Sequence, residues 1–180
     1  MPRRKRYLSE LFLAFSNIIG GTPLTEKQPD VSLDKNDKII LKMLQEDCNV
    51  SLKKIGEKTG LSSSTVHYRV NRLIEEKVIT GFKASVDPLK VGKEILAISL
   101  VTGRYGPDYS RKIGERIAKI TGVWAVYFLL GNIDFAVLLR ASSREELKDI
   151  VDALIKIEEV ERSNTYLILD RIKEDTTVQL

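Results

Sequence analysis

The chain is poor in the residues that carry most redox, metal and covalent chemistry. It has one cysteine, one histidine, one tryptophan and two methionines in 180 residues. A lone thiol, Cys48, excludes an internal disulfide and suits a reducing compartment. The lone histidine, His67, has no second imidazole to complement it, which leaves no zinc or haem ligand set. No apolar run is long enough to span a bilayer: the longest cluster, residues 7–19, is broken by Ser9, Glu10, Ser16 and Asn17. The basic run Arg3 to Arg6 ahead of that cluster resembles the start of a secretory leader, but no small-residue cleavage site follows. Also missing are a Ser-His-Asp set, a glycine-rich dinucleotide fingerprint and a phosphate-binding loop. Glu145-Glu146 and Glu158-Glu159 read as solvated charges. No catalytic constellation is present, and an enzyme is not expected.

What remains is the composition of a globular protein, 43% hydrophobic and 30% charged, in one or two domains with room for proper cores. The net charge of +4 is uneven. Residues 1–32 carry five Lys/Arg against three Asp/Glu, residues 33–86 ten against seven, and residues 87–180 fourteen against fifteen. The excess therefore lies in the first two segments, as expected of a basic DNA-binding module joined to a neutral one.

Residues 33–86 read as a helix-turn-helix. Asp34, with Asp37 three residues on, caps a first helix running to about Glu46. Ser51 caps a second, ending near Gly60. Ser62 or Ser63 caps a third, running to about Lys77. Gly56 is the small residue where two helices touch, and Gly60 is the turn glycine, able to take positive φ. Ile79 to Val86 reads as a short extended wing. On the third helix Val66, Val70, Leu73 and Ile74 form the apolar stripe. The opposite face is expected to show Ser63, Ser64, Thr65, His67, Tyr68, Arg69 and Arg72. Its N-terminal part should reach base edges, with Ser62 beside it. Arg69 and Arg72 suit guanine or phosphate, a choice the sequence leaves open. Because Arg72 lies off the stripe, Arg72→Ala is expected to weaken DNA binding and leave the fold intact. Lys53 and Lys54 are placed for DNA-backbone contacts, and Lys83 for another.

After a linker at 87–92, residues 93–180 change character. Strand-like runs at Ile95 to Val101, Val123 to Leu130, Phe135 to Leu139 and Arg162 to Leu169 alternate with helical spacing at Tyr109 to Ile120 and after Ser143. Gly131-Asn132 predicts a two-residue hairpin turn, and Ser143 with Glu146 a capping box. The order β-α-β-β-α-β is that of a ferredoxin-like domain. The fold class expected is thus α+β, a winged helix-turn-helix followed by a ferredoxin-like unit.

The segments LDKNDKIILKMLQED, SLKKIGEKTGLSSSTVHYRVNRLIEEKVITGFKASVDP and GNIDFAVLL together resemble the Lrp/AsnC, or feast/famine, family of transcriptional regulators, over Leu33 to about Lys173. The most specific stretch is Val66, Arg69, Val70, Arg72, Leu73, Val78, Ile79 and Gly81. The resemblance points to an archaeal member, and high Lys and Ile with few Met, Cys and His suits a thermophile. It implies a cytoplasmic homo-oligomer, a dimer paired through its sheets and beyond that an octamer, acting on double-stranded DNA. It also implies a small amino acid or related metabolite as effector, held between dimers near Leu130, Gly131, Asn132, Ile133 and Asp134. There Gly131 would offer backbone N–H groups to a carboxylate and Asp134 would take an ammonium group. No cofactor or metal is implied. Family members usually begin just before the residues matching Leu33-Asp34. Residues 1–32 are therefore either a basic arm following phosphate or the minor groove, or the product of a mis-called start with Val31 as the true initiator. Two other readings stand beside the regulator. One is an architectural DNA binder with no effector. The other is an enzyme like the sirohaem decarboxylases, which share the layout but need haem-contacting His residues, whereas residues 87–180 hold none.

Overall fold

The computed structural model describes residues 31–180 apart from Tyr105 and Pro107. The basic run and apolar cluster of the first thirty residues lie outside the described part. The chain divides into two compact units. One holds the described residues up to Ser85 together with Lys173–Leu180. The other runs Val86–Ile172. The eight C-terminal residues therefore group by contact with the first unit.

The first unit is a three-helix cluster: α1 (Lys35–Glu46), α2 (Leu52–Thr59) and α3 (Ser63–Glu75). Polar side chains begin all three. Asp34 and Asp37 form a reciprocal capping box on α1, Ser51 accepts from the Lys54 N–H, and Ser62 accepts from the Thr65 N–H. Gly60 ends α2 at φ 73°. At Gly56 the reason for glycine is contact, not torsion: a Cβ there would lie 2.5 Å from the Leu61 carbonyl oxygen. Ile40, Leu41, Ile55, Val66 and Leu73 make the core, and full burial of each side chain contributes about 1.5–3 kcal/mol. The segment expected to form a wing, 79–86, has no β-ladder with any described residue.

The second unit starts with a 3₁₀ turn, Leu89–Val91, in the expected linker. Strand β1 (Ile95–Gly103) follows, then α4 (Tyr109–Ile117), β2 (Val123–Phe128), β3 (Phe135–Ala141), α5 (Arg144–Ile155) and β4 (Val160–Leu167). The four strands form one antiparallel sheet in the order β2-β3-β1-β4. This is the ferredoxin-like arrangement. One face packs on the helices through Ala97, Val101, Phe135, Val137, Leu139, Ile113, Ile117, Ile150 and Leu154. The alternation of buried and half-buried residues along β3, and along β1 from Leu96, follows from the two-residue period of a strand.

Two local expectations need correction. The β2–β3 connection is not a two-residue Gly-Asn turn. The strands end at Phe128 and Phe135, and the loop closes where the Leu129 N–H donates to the Asp134 carbonyl at 2.7 Å. The capping box of α5 is also only half formed. Ser143 accepts from the Glu146 N–H, but the Glu146 carboxylate reaches past the cap to the N–H and hydroxyl of Ser142. That carboxylate also meets Lys93 Nζ at 2.5 Å. The Lys93 ammonium and the Ser142 donors hold its pKa down to about 2.

Candidate nucleic-acid interface and effector loop

Helix α3 presents an outward face made by its N-terminal half. Ser62, Ser63, Ser64, Thr65, His67 and Tyr68 are all exposed, Tyr68 to 69%. The hydroxyls of Ser62, Ser64 and Thr65 are linked, with Ser62 Oγ 2.9 Å from Ser64 Oγ and 2.8 Å from Thr65 Oγ1. The first turn has free N–H groups and the positive end of the helix dipole, a site suited to a phosphate. Lys53 and Lys54 are exposed in the first turn of α2.

Arg69 and Arg72 are drawn from this face toward α1. At 100° per residue Arg69 lies beside the apolar stripe, about 40° from Leu73, whereas Arg72 lies about 40° from Tyr68 and turns to α1 by its pairing with Asp37. Arg69 Nη1 lies 2.6 Å from Asp34 Oδ2 and 2.8 Å from Asp37 Oδ1, and Arg72 Nη2 lies 2.7 Å from Asp37 Oδ2. Asp37 is 1% exposed, and its second oxygen also accepts the Asp34 N–H at 3.1 Å. The Asp34 carboxyl is held below its usual range, first by the Asp37 N–H and then by Arg69. The Arg69 guanidinium is raised by Asp34 and Asp37. The two arginines thus pin the recognition helix to α1.

Sequence reasoning missed Asn71. It is exposed and sits three residues after Tyr68, four after His67 and seven after Ser64, so it continues their face. The spacing alone was enough to find it.

In the second unit, Leu130, Gly131 and Asn132 are exposed and Ile133 is half-buried. The backbone N–H groups of these four residues have no partner among the described residues. Asp134 departs from expectation. It is 4% exposed and faces inward, with Oδ2 accepting the Gly103 N–H at 2.8 Å and Oδ1 the Tyr109 hydroxyl at 3.3 Å. Each of its oxygens thus holds one hydrogen bond within the fold. Among the described residues no group of three or more His, Cys, Asp or Glu could hold a metal ion, and no helix is long and apolar enough to cross a membrane.

A helix-turn-helix with an exposed polar recognition face, joined to a ferredoxin-like domain with a solvent-facing loop, defines a DNA-binding regulator with a sensing module. Family models agree. Residues 33–80 match the winged helix-turn-helix DNA-binding model, and residues 95–178 match the Lrp/AsnC ligand binding domain. The chain is 37% identical over 150 residues to HTH-type transcriptional regulator FL11 of Pyrococcus horikoshii, covering 83% of this chain and 98% of that protein. It is 38% identical to the Pyrococcus furiosus FL11 over 144 residues, covering 80% and 94%. Among solved structures it resembles a feast or famine regulatory protein from M. tuberculosis complexed with L-methionine, with 27% identity and a TM-score of 0.74 over 82% of this chain and 99% of that one. The chain belongs to the Lrp/AsnC family of DNA-binding transcriptional regulators.

Proposed function

We propose that the protein acts in the cytoplasm as a homodimer that enters two DNA major grooves with the N-terminal half of α3. In this reading Lys53, Lys54 and the hydroxyl cluster Ser62, Ser63, Ser64 and Thr65 hold phosphates, while His67, Tyr68 and Asn71 read base edges. The observation that carries the reading is the division of labour on α3: apart from the capping turn at Ser62, the outward side chains are exposed and make no hydrogen bond or ion pair with another described element, whereas the arginines are paired with α1. Asn71 suits adenine, whose N6 and N7 an Asn amide can pair in a bidentate fashion. Asn71→Ala is expected to weaken binding to the operator by about 1–3 kcal/mol while barely changing affinity for random DNA. Titrations of both duplexes at one fixed salt concentration check this. Equal losses on the two duplexes would remove Asn71 from base reading.

Dimerisation would use the sheet face opposite the helices. It carries Leu96, Ile98, Leu100, Leu138, Tyr127 and Tyr166, with the Arg140 guanidinium 4.3 Å above the Trp124 ring. A face this apolar suits burial against a second copy. Octamers would form from such dimers. The effector would be a small amino acid, its carboxylate received by the unpartnered N–H groups at residues 130–133. The L-methionine in the M. tuberculosis relative makes methionine the first compound to try. Effector binding would act by favouring one assembly over another. In this reading Asp134, buried and bonded to Gly103 and Tyr109, shapes the loop and makes no direct contact with the effector.

A further inference from the structure

The sheet face opposite the helices is open among the described residues, since α4 and α5 both pack on the other face. On it Trp124 is 40% exposed, Tyr127 55% and Tyr166 54%. The strand pairing places two charged residues on this face, and both are cationic: Arg140 beside Leu96 and Arg162 beside Thr102. The sequence also holds an apolar stripe ahead of both units. Leu8, Leu11, Phe12, Phe15, Ile18 and Ile19 recur at helical spacing and fall within about 120° of a helical wheel. Ser9, Glu10, Ser16 and Asn17 fall on the other side, with Leu13 among them. Glu10 is the one charged residue of 7–19, and Gly20-Gly21 follows where a helix would stop. The two surfaces are thus complementary in polarity and in charge. Their sizes also agree. Residues 8–19 as a helix would span about 18 Å, and four strands about 4.8 Å apart span about 14–19 Å.

We propose that residues 7–19 lie on this sheet face as an amphipathic helix and so compete with a second copy of the chain for it. The mode is that of a helix laid by its stripe on an apolar surface, with anchors three and four residues apart. Residues 20–30 are the tether. Fully extended, at about 3.3 Å per residue, they reach about 36 Å, so the contact does not depend on one arrangement of the two units. The competition rests on the dimeric reading above; the contact itself does not. A copy whose face is covered cannot pair. With the cover closed in about two-thirds of molecules, each copy is competent about a third of the time, and pairing weakens about tenfold. The segment thereby sets the protein concentration at which dimers form, and with them binding to two half-sites.

Trp124 is the chain's one tryptophan and lies on the face in question, so its emission reports the cover directly. The test compares the full chain, a chain beginning at Val31, which keeps both described cores, and the full chain carrying Leu11→Asp with Phe12→Asp. Diluted to monomers, as checked by sedimentation, the full chain is expected to emit at shorter wavelength and to be quenched by acrylamide about threefold less than the other two. The dimer dissociation constants of those two are expected to be about tenfold lower than that of the full chain. A synthetic peptide of residues 5–20 is expected to return the chain beginning at Val31 toward monomer. Equal emission and quenching in the three monomers would overturn the contact. Equal dissociation constants, or a peptide without effect, would overturn the competition. A full chain that stays dimeric at every dilution would overturn both, because the face would never be free for the segment. If the chain beginning at Val31 stays monomeric at every concentration, the dimer falls and the competition with it, while Trp124 still judges the contact. Native protein whose intact mass begins at Val31 would overturn the proposal for the cell.

Discussion

Asp37→Ala is expected to destabilise the DNA-binding unit by about 3–5 kcal/mol, toward the lower end of that range. The carboxylate is buried at 1% exposure and is shared by Arg69, Arg72 and the Asp34 N–H. Removing it leaves a small cavity, Arg69 with Asp34 alone and Arg72 with only the Glu76 carboxylate, 3.8 Å from its Nε. The arginine side chains keep 22% and 33% of their exposure, so water relieves part of the cost. The same logic reverses the sequence expectation for Arg72→Ala. That change should weaken DNA binding by loosening α3 against α1, with a clear loss of stability, because Asp37 would keep only Arg69 as a charged partner beside the Asp34 N–H. Calorimetry of the DNA-binding unit's transition measures the effect. DNA affinity of Asp37→Ala should recover at temperatures where the variant is fully folded. A stability change below about 0.5 kcal/mol would show that the network contributes no more than a surface ion pair.

The second large effect is expected at Asp134. In Asp134→Ala the buried Gly103 N–H loses its acceptor, and the Tyr109 hydroxyl loses a partner. An unsatisfied buried donor costs about 1–3 kcal/mol, more where the lost acceptor is charged. Gly103 also sits at the register shift between β1 and β4, and its missing Cβ leaves room for Ile113 Cδ1 at 2.5 Å. The hydrogen bond therefore fixes the end of the central strand where α4 packs. The expected result is a lowered unfolding midpoint of the sensing unit, with any change in effector response following from it. Chemical denaturation with and without L-methionine tests this. A variant as stable as the parent but blind to its effector would return Asp134 to the ligand site.

Much of the architecture was legible in the sequence because it is written in local rules. The caps Asp34, Ser51 and Ser62, the stop at Gly60 and the period-two burial of β1 each depend on residues a few positions apart. Beyond the β2–β3 turn and the cap of α5, the misreadings concern partners far apart in sequence. A helical wheel shows that Arg69 and Arg72 avoid the apolar stripe, but not that Asp37, more than thirty residues earlier, lies against them. Asp134 reads as a turn residue, and only the packing of Gly103 and Tyr109 draws it inward. The C-terminal octapeptide has no periodicity at all. Its backbone pairs at Val178 with the Gln45 amide, 133 residues earlier. Asn71, by contrast, shares its face with His67 and Tyr68 by spacing alone.

The measurement that tests the central claim most directly is a footprint of the purified protein on the DNA upstream of its own gene. Regulators bound through paired α3 helices should protect discrete sites, with half-sites about one helical turn apart, and Asn71→Ala should erase those sites at protein concentrations where the parent fills them. Even coverage with no preferred site, unaltered by Asn71→Ala, would contradict base reading by this face.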